Sequence, residues 1–290
     1  MNDLVQLLVS GLTVGSVYAV VAIGFTLIYA ASDVVNFAQG EFVMIGGLTT
    51  VFLSMHGVPL WAAAPLAVLV AIVAGLLLQK LAIEPARQAS DVSLVIITLG
   101  ASIFIRGVAE LVFDKQFHSL PPISSRPTVH MLGASITTQS LWVLGSTLAM
   151  FAGLYLFLQR TVTGKGLRAC ASNRLAAKLV GINISLSLCL AYGLSAALGA
   201  LAGVLVTPIT LTRYDIGVLL AMKGFSAALL GGIGNPLGAV LGGLLLGLLE
   251  SLAAGYLTSV YKDGVAFVAL ILVLLTMPGG LLGSKAVERV

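Results

Sequence analysis

Five charged side chains lie inside long apolar stretches of the sequence. They are Glu41, Arg106, Glu110, Lys223 and Glu250. A charge at the centre of a bilayer costs about 2.5 to 3.5 kcal/mol on insertion scales, so each charge needs a partner or a water-filled path. Charges in such settings are typical of ion pairs between membrane helices or of transport routes.

The segment around Glu41, VVNFAQGEF, is polar and flexible in an otherwise apolar setting. If Asp33 lies at the membrane surface, eight helical residues at about 1.5 Å each place Glu41 roughly 12 Å inside the hydrocarbon. A cluster of this kind can break a helix and expose backbone groups, which either hold a small polar ligand or brace a neighbouring span. Both roles stay open. The hypothetical substrate pathway comprises Asn36, Gln39, Glu41, Lys223 and Glu250.

Two pairings are expected among these charges. Arg106 and Glu110 are four residues apart, so on one helix face they form a self-contained ion pair, with a role along the pathway as the alternative. Lys223 and Glu250 are the available counter-charges for Glu41. Lys223 is the expected partner because of a repeated spacing in the sequence, described next.

A spacing of eight residues between charged side chains occurs twice in the sequence. Asp33 precedes Glu41 by eight positions, and Asp215 precedes Lys223 by eight. The two segments run in opposite directions in the topology proposed below. Inverted repeats of this kind are common in transporters, where the binding elements lie near the repeat interface.

The composition indicates that lipid is the solvent of this chain. The 290 residues are 59% hydrophobic and only 9% charged, and the mean hydropathy is +1.09. Unbroken apolar runs predict membrane helices rather than the alternating strands of a barrel. The net charge of +4 comes from basic residues between apolar spans, which indicates membrane topology and not nucleic-acid binding.

The apolar runs predict an all-α bundle of eight or nine spans in a single membrane domain covering residues 1–290. The first span is retained rather than cleaved, and residues 216–233 form a full, broken or re-entrant segment. The positive-inside rule places the N-terminus outside, the loop 114–137 outside and the C-terminal Lys285 and Arg289 inside. The predicted spans are residues 5–29, 38–55, 60–80, 92–113, 138–159, 182–206, 216–233, 236–258 and 264–282.

A stripe of small residues follows a predicted turn at Asn235 and Pro236. Glycines at such spacing allow close contact between membrane helices. The contact lies within one subunit, at a dimer interface or along a gating seam. The stripe comprises Gly234, Gly238, Gly242, Gly243 and Gly247.

Motifs for catalysis are absent from the sequence. There is no GxSxG, HExxH or GxxxxGK[ST] pattern, so no hydrolase, metalloprotease or P-loop ATPase is predicted. The dispersed His56, His118 and His130 lack the spacing of metal ligands, and the two cysteines predict neither a disulfide nor a metal site.

The one long polar element carries five basic residues and no acidic one between Arg160 and Lys178. Thr161 and Thr163 are candidate caps of a short amphipathic helix on the cytoplasmic surface. Binding to anionic headgroups is the simpler function of such a helix. Its small alanines favour docking into a protein groove instead.

Three segments together resemble the permease subunits of branched-chain amino acid ABC importers of the LivH type. They are GSVYAVVAIGFTLIYAASDVVNFAQGEFVMIGG (15–47), TGKGLRACASNRLAAKLVGI (163–182) and GGIGNPLGAVLGGLLLGLLE (231–250). The resemblance covers essentially the whole chain in order. One departure is Gln39, where the family commonly has His, which puts any proton-sensitive role there in doubt.

The resemblance implies a bacterial inner-membrane permease that moves branched-chain or similar small amino acids into the cytoplasm. We expect alternating access as its mechanism and, because a P-loop is lacking, no cofactor in the chain itself. Its implied partners are a homologous second permease subunit, two cytoplasmic ATPases that bind ATP and Mg, and a periplasmic solute-binding protein. Residues 163–181 correspond to the segment that couples to the ATPase. The matching positions are Gly164, Arg168, Asn173, Arg174, Ala176, Ala177 and Gly181.

Three other functions stay open. The first is a permease of the same family for urea, short amides or aromatic acids. The second, of a different class, is a secondary transporter driven by protons or sodium, which buried carboxylates could serve. The third is a channel or structural membrane protein, which has no evident use for a basic cytoplasmic helix.

Overall fold

The computed structural model describes residues 2–86, 88–124, 128–131, 134–257 and 261–283. This part of the chain forms eleven α-helices and one short hairpin. The helices are α1 (Asn2–Ser32), α2 (Gln39–Met55), α3 (Leu60–Leu77, extended by a π-helical turn Leu78–Ile83), α4 (Asp91–Phe113), α5 (Thr138–Arg160), α6 (Val162–Ser172), α7 (Arg174–Leu179), α8 (Ile184–Thr210), α9 (Ile216–Gly231), α10 (Pro236–Tyr256) and α11 (Lys262–Thr276). The strands are β1 (Thr128–Met131) and β2 (Ala134–Thr137).

The helical membrane bundle is confirmed, and nine of the described helices follow the predicted spans. Six of these are long and apolar enough to cross a membrane: α1, α3 with its π-helical turn, α4, α5, α8 and α10. The others are shorter, with 17 residues in α2, 16 in α9 and 15 in α11. The count of eight or nine crossings is therefore approximate. No contact tests the assignment of residues 1–290 to a single domain, which stays a prediction.

The two ends of the bundle differ in chemistry. At the end that we call the basic end, Arg174 donates to the carbonyl of Ala31 where α1 ends, and Ser185 donates to Glu84 beyond α3. At the opposite end, Ser251 of α10 donates to the carbonyl of Leu7 near the start of α1. The basic end carries α6 and α7.

Side-chain caps start the helices at the basic end. The oxygens of Thr161, Asn173, Asn183 and Asn235 accept backbone N–H groups at the starts of α6, α7, α8 and α10. Each cap satisfies donors that have no partner within the helix, and a lost cap costs about 1 kcal/mol. The turns of this end are therefore fixed by short polar side chains.

Two helices begin inside the bundle and not at its surface. After α1, Asp33 adopts a positive φ of 55° and residues 34–38 leave the helical path before α2. After α8, Leu211 adopts a φ of 63° and residues 211–215 lead into α9. Gln39, at the start of α2, donates to the carbonyl of Ser195 in mid-α8. Ser195 is eleven residues beyond the start of α8. The start of α2 therefore lies about 17 Å deeper in the bundle than the start of α8.

The starts of α2 and α9 touch each other. A Cβ atom added at Gly40 would collide with the carbonyl oxygen of Gly217. From this contact α2 runs to the opposite end, where the Phe52 and Phe113 rings lie 5.6 Å apart, and α9 runs to the basic end. The opposite directions agree with the expected inverted arrangement. The repeat itself stays a prediction.

Glycines of α10 bring its neighbours close. Gly243 and Gly247 leave no room for a Cβ atom against Ala19 and Gly15 of α1. The other face of α10 packs equally closely on α9. A Cβ atom added at Gly238 would clash with Gly231, and one added at Gly242 would clash with Ala227. These glycines pack within the chain.

The stripe is shorter than the sequence suggested. Gly234 precedes α10 and lies outside the helix, since its φ of 92° belongs to the turn between α9 and α10. Its inclusion in the packing stripe is therefore wrong. Glycine is suited to that turn because a side chain would strain the left-handed conformation.

The segment 114–137 is more ordered than a plain surface loop. Strands β1 and β2 pair antiparallel, with Thr128 opposite Thr137, so the all-α prediction misses a hairpin. Nearer α4, the backbones of His118 and Thr212 exchange hydrogen bonds of 2.9 and 2.8 Å. This pairing ties the segment to the stretch before α9. Residues 125–127, 132 and 133 of this segment, and the C-terminal Lys285 and Arg289, fall outside the described residues.

We expect Gly247→Ala to destabilise the protein by about 1 to 3 kcal/mol, because the added methyl group forces α1 and α10 apart. The measurement is thermal unfolding in detergent. Gly153→Ala in α5 is the matched control, since nothing lies within 4 Å of its added Cβ atom. Equal melting temperatures for the two variants would contradict the close packing.

Candidate functional site: buried ion pairs and a basic docking surface

Glu41 lies where the two broken helices meet. It belongs to the first turn of α2, is 1% exposed, and has one carboxylate oxygen beside Gly217 of α9. Ser102 of α4 donates to the other oxygen at 2.7 Å, and the Arg106 guanidinium lies 3.8 Å from it. The starts of two helices, where N–H groups are unpaired, also favour a negative charge. Glu41 thus joins α2, α4 and α9.

The expected pairing of Arg106 with Glu110 is wrong. Arg106 pairs with Glu41, and Glu110 pairs instead with Lys115 at 2.6 Å. The deeply buried carboxylate of Glu41 has the greater need of a counter-charge. Glu110 is less buried and can pair with the exposed Lys115. The hydrogen bond from Lys115 to Glu110 raises the pKa of Lys115.

Gln39 and Asn36 serve the broken backbone before α2. Ser195 donates to the Gln39 side chain at 2.5 Å and also contacts the carbonyl of Gly24 in α1. Asn36 accepts from the backbone N–H of Ala38 at 3.1 Å. Gln39 and Asn36 are fully buried. Their contacts therefore brace the segment, as the sequence allowed.

A second charge cluster, in which Lys223 and Glu250 are buried and Asp263 is partly exposed, joins α1, α9, α10 and α11. Lys223 pairs with Glu250 and, at 2.6 Å, with Asp263. Tyr18 donates its hydroxyl to Glu250 at 2.7 Å. The expected pairing of Lys223 with Glu41 is wrong, because the lysine extends towards α10 and α11. Asp263 escaped the sequence reasoning, although its position next to the last apolar run was a usable signal.

The basic segment forms two helices and not the single helix expected over residues 163–181. Asn173 breaks it: this residue has an extended conformation, and its side chain caps α7. At the start of α6, a Cβ atom on Gly164 would clash with the carbonyl of Phe157, so the turn from α5 requires glycine. Gly181 ends the segment with a positive φ of 87°. The sequence pattern missed the break because alanines continue on both sides.

Contacts of the two arginines tie this segment to the bundle. Arg168 donates to Gln159 of α5 at 2.7 Å. Arg174 donates to the carbonyl of Ala31 and lies 3.5 Å from Asp33. The connection therefore runs from α7 to the break between α1 and α2.

Short helix α7 presents an apolar surface at the basic end. Leu175, Leu179 and Val180 are 78%, 88% and 76% exposed, whereas Ala177 is buried against the bundle. Ala176 and Lys178 are exposed beside them. We call this set of exposed residues the α7 surface. Exposed apolar side chains with a basic neighbour are typical of a protein contact.

Two cavities of the described residues lie at opposite ends of the bundle. The one at the basic end has a volume of about 350 Å³ and reaches Thr26, Gln159 and Arg168. The one at the opposite end has a volume of about 520 Å³ and reaches Tyr18, Thr210 and Glu250. Glu41 lines neither of them. Among the described residues, no group of three His, Cys, Asp or Glu side chains could hold a metal ion.

These features define a polytopic membrane protein with broken helices, buried ion pairs and an exposed apolar surface at its basic end. A family model described as the permease component of the branched-chain amino acid transport system matches residues 7–274. The chain therefore belongs to this permease family, and the resemblance drawn from its sequence is confirmed.

Individual relatives agree over nearly their whole length. The permease LivH of Escherichia coli K12 is 38% identical, covering 98% of this chain and 97% of that protein. BraD, a branched-chain amino acid permease of Pseudomonas aeruginosa, is also 38% identical with the same coverage. The ribose import permease RbsC of Haemophilus influenzae is 23% identical, covering 93% of this chain and 84% of that protein.

Arg106→Gln should lower stability by about 1 to 3 kcal/mol, because it leaves the Glu41 carboxylate buried without its counter-charge, an effect reduced by the partial exposure of Arg106. Thermal unfolding in detergent measures the change. Lys115→Gln is the control, since it breaks only an exposed pair with Glu110 and should leave the melting temperature nearly unchanged. The double variant Glu41→Gln/Arg106→Gln should lose less than the sum of its single variants. Strict additivity would show that the two side chains do not interact.

Proposed function

We propose that this chain is the membrane subunit of an ATP-driven importer that moves branched-chain amino acids, or similar small amino acids, into the cytoplasm. Its family membership and the names of LivH and BraD support the substrate class. The single observation that carries the coupling to ATP is the α7 surface. It combines exposed leucines with a helix that is tied to the bundle by Arg174.

The proposed assembly has several chains. The α7 surface docks into one of two cytoplasmic ATPases, which bind ATP and Mg, since this chain has no P-loop sequence. A homologous second permease subunit completes the membrane part, and a periplasmic solute-binding protein delivers the substrate. The assembly resides in a bacterial inner membrane. The positive-inside rule places the basic end in the cytoplasm and the opposite end outside.

Motion reaches the bundle through the α7 connection. When the ATPases close, they displace α7 and the adjoining α6, and α6 carries the end of α5 with it because Gly164 packs α6 tightly against α5. Arg174 transmits this displacement to Ala31 and Asp33, where α1 ends and the non-helical stretch begins. That stretch leads directly to Glu41 and the contact between α2 and α9. Alternating access then consists of α2 and α9 shifting relative to the rest of the bundle.

Glu41 braces this moving contact in our proposal and does not bind substrate. Its carboxyl group is enclosed by α2, α4 and α9, and Ser102 and Arg106 already contact it. Glu250 is also buried and paired, with Lys223 and Tyr18, but both Glu250 and Tyr18 border the cavity at the opposite end. Of the two charge clusters, this one therefore adjoins a space that a solute could enter.

Competing functions make different demands on the chain. A secondary transporter driven by protons or sodium would need no contact at the α7 surface, and family membership argues against that class. A related permease for another solute is the stronger alternative, because RbsC imports ribose according to its name. Uptake assays with leucine, ribose and urea in vesicles containing the complete assembly separate these substrates.

Leu179→Ser should weaken ATPase binding by about tenfold or more, since a buried leucine contributes about 1.5 to 3 kcal/mol. Retention of the ATPase on the purified, tagged permease complex measures this effect. Leu111→Ser is the matched control, because Leu111 in α4 is also 88% exposed but lies towards the opposite end. If Leu179→Ser retained the ATPase as well as Leu111→Ser, α7 would not be the docking surface.

Arg174→Ala should separate ATP hydrolysis from transport. The ATPase still docks on the leucines, but displacement no longer reaches Asp33, so uptake should fall several-fold while hydrolysis continues. Both rates are measured on the same reconstituted vesicles. Lys165→Ala, an exposed basic residue of α6, is the control and should leave both rates near those of the unmodified protein. A parallel loss of hydrolysis and uptake would argue for docking, and against transmission, as the function of Arg174.

A further inference from the structure

The cavity of about 520 Å³ at the opposite end is a groove between α1, α8, α9 and α10. Its volume falls within the range of about 300 to 1,000 Å³ that small-molecule sites occupy. Val14, Ile209 and Leu219 contribute apolar walls. The groove thus offers space and apolar surface to a small solute with an aliphatic side chain.

One face of α1 carries polar residues that lead into this groove, which Leu7 and Val17 of the same helix also line. Asp3, Gln6, Ser10 and Thr13 follow one another at intervals of three, four and three residues, which places them on a single helix face. Ser10 and Thr13 line the groove, and Ser10 is exposed. A polar stripe of this kind on a membrane helix is unsuited to lipid and indicates contact with water.

Charges of both signs stand at the groove. Glu250 and Tyr18 lie at the end of the polar stripe, joined by their hydrogen bond. Lys262, at the start of α11, lines the groove and is exposed. An acceptor for an ammonium group and a donor for a carboxylate are therefore both present, as recognition of a zwitterion requires.

We propose that this groove is the outer binding site and entry route for an amino acid zwitterion. The ammonium group binds at Glu250 and the Tyr18 hydroxyl, the carboxylate binds at Lys262, and the aliphatic side chain packs on the apolar walls. The inference rests on the proposed function and adds a location and a mode of recognition. Lys223 and Asp263 hold Glu250 in place from behind.

Thiol labelling tests whether the groove is wet and lies on the route. In a Cys170→Ala/Cys189→Ala background, Ser10→Cys is assembled with the partner subunits in vesicles and exposed to a charged, membrane-impermeant methanethiosulfonate reagent. Leu8→Cys is the matched control, because Leu8 lies at almost the same depth on α1 and does not line the groove. Ser10→Cys should react at least tenfold faster, and its modification should lower leucine uptake at least tenfold while ATP hydrolysis stays within twofold.

Two results would overturn the proposal. Equal reactivity of Ser10→Cys and Leu8→Cys would show that no groove selects Ser10 for contact with water. Full modification of Ser10→Cys with normal uptake would remove the groove from the route. Failure of the proposed function looks different, since the unmodified assembly would then lack ATP-dependent leucine uptake whatever the labelling.

A second variant tests the ammonium contact. Glu250→Gln in the Ser10→Cys protein should lower uptake at least tenfold, whereas the labelling rate at position 10 should stay within twofold, which shows that the groove keeps its shape. Glu110→Gln, the same carboxylate-to-amide change at a residue of α4 that does not line the groove, should leave uptake within twofold. Normal uptake by Glu250→Gln would contradict binding of the ammonium group at this carboxylate.

Discussion

The contact between the starts of α2 and α9 is the constraint on which the rest of the architecture depends. A helix that begins inside a bilayer leaves backbone groups without helical partners, and lipid cannot supply any. Here, Ser195 donates to Gln39, Asn36 accepts from the backbone N–H of Ala38, and Glu41 lies beside both helix starts. Small residues at the crossing then become necessary, since only Gly40 and Gly217 allow the two backbones to meet.

Sequence patterns predicted the elements of the fold well, for a physical reason. Apolar runs, Pro236 and the asparagines before α7, α8 and α10 act over a few residues, so their effects can be read locally. The buried charges were also recognisable, because a charge in an apolar run always needs an explanation. The close packing of Gly243 and Gly247 was predictable for the same reason, because their spacing along one helix face is visible in the sequence.

The partners of those charges could not be predicted in the same way. The spacing of Arg106 and Glu110 fits an ion pair on one helix, yet Arg106 pairs across helices with Glu41. Which carboxylate pairs with an arginine depends on how deeply each carboxylate is buried and on where the helices cross. The spacing of residues within one helix tells neither. The outer hairpin was missed for a related reason, since two four-residue strands give little periodicity.

The bridge between His118 and Thr212 connects the outer segment to the stretch before α9, and at the other end Arg174 of α7 contacts the stretch before α2. A protein that bound outside and pulled on this bridge would shift the start of α9, as an ATPase would shift the start of α2. Two ligands that bias one equilibrium affect each other's affinity by equal factors. In the proposed assembly, the state of the nucleotide should therefore set how tightly an external protein is held, and that protein should in turn alter the affinity of the ATPases for nucleotide.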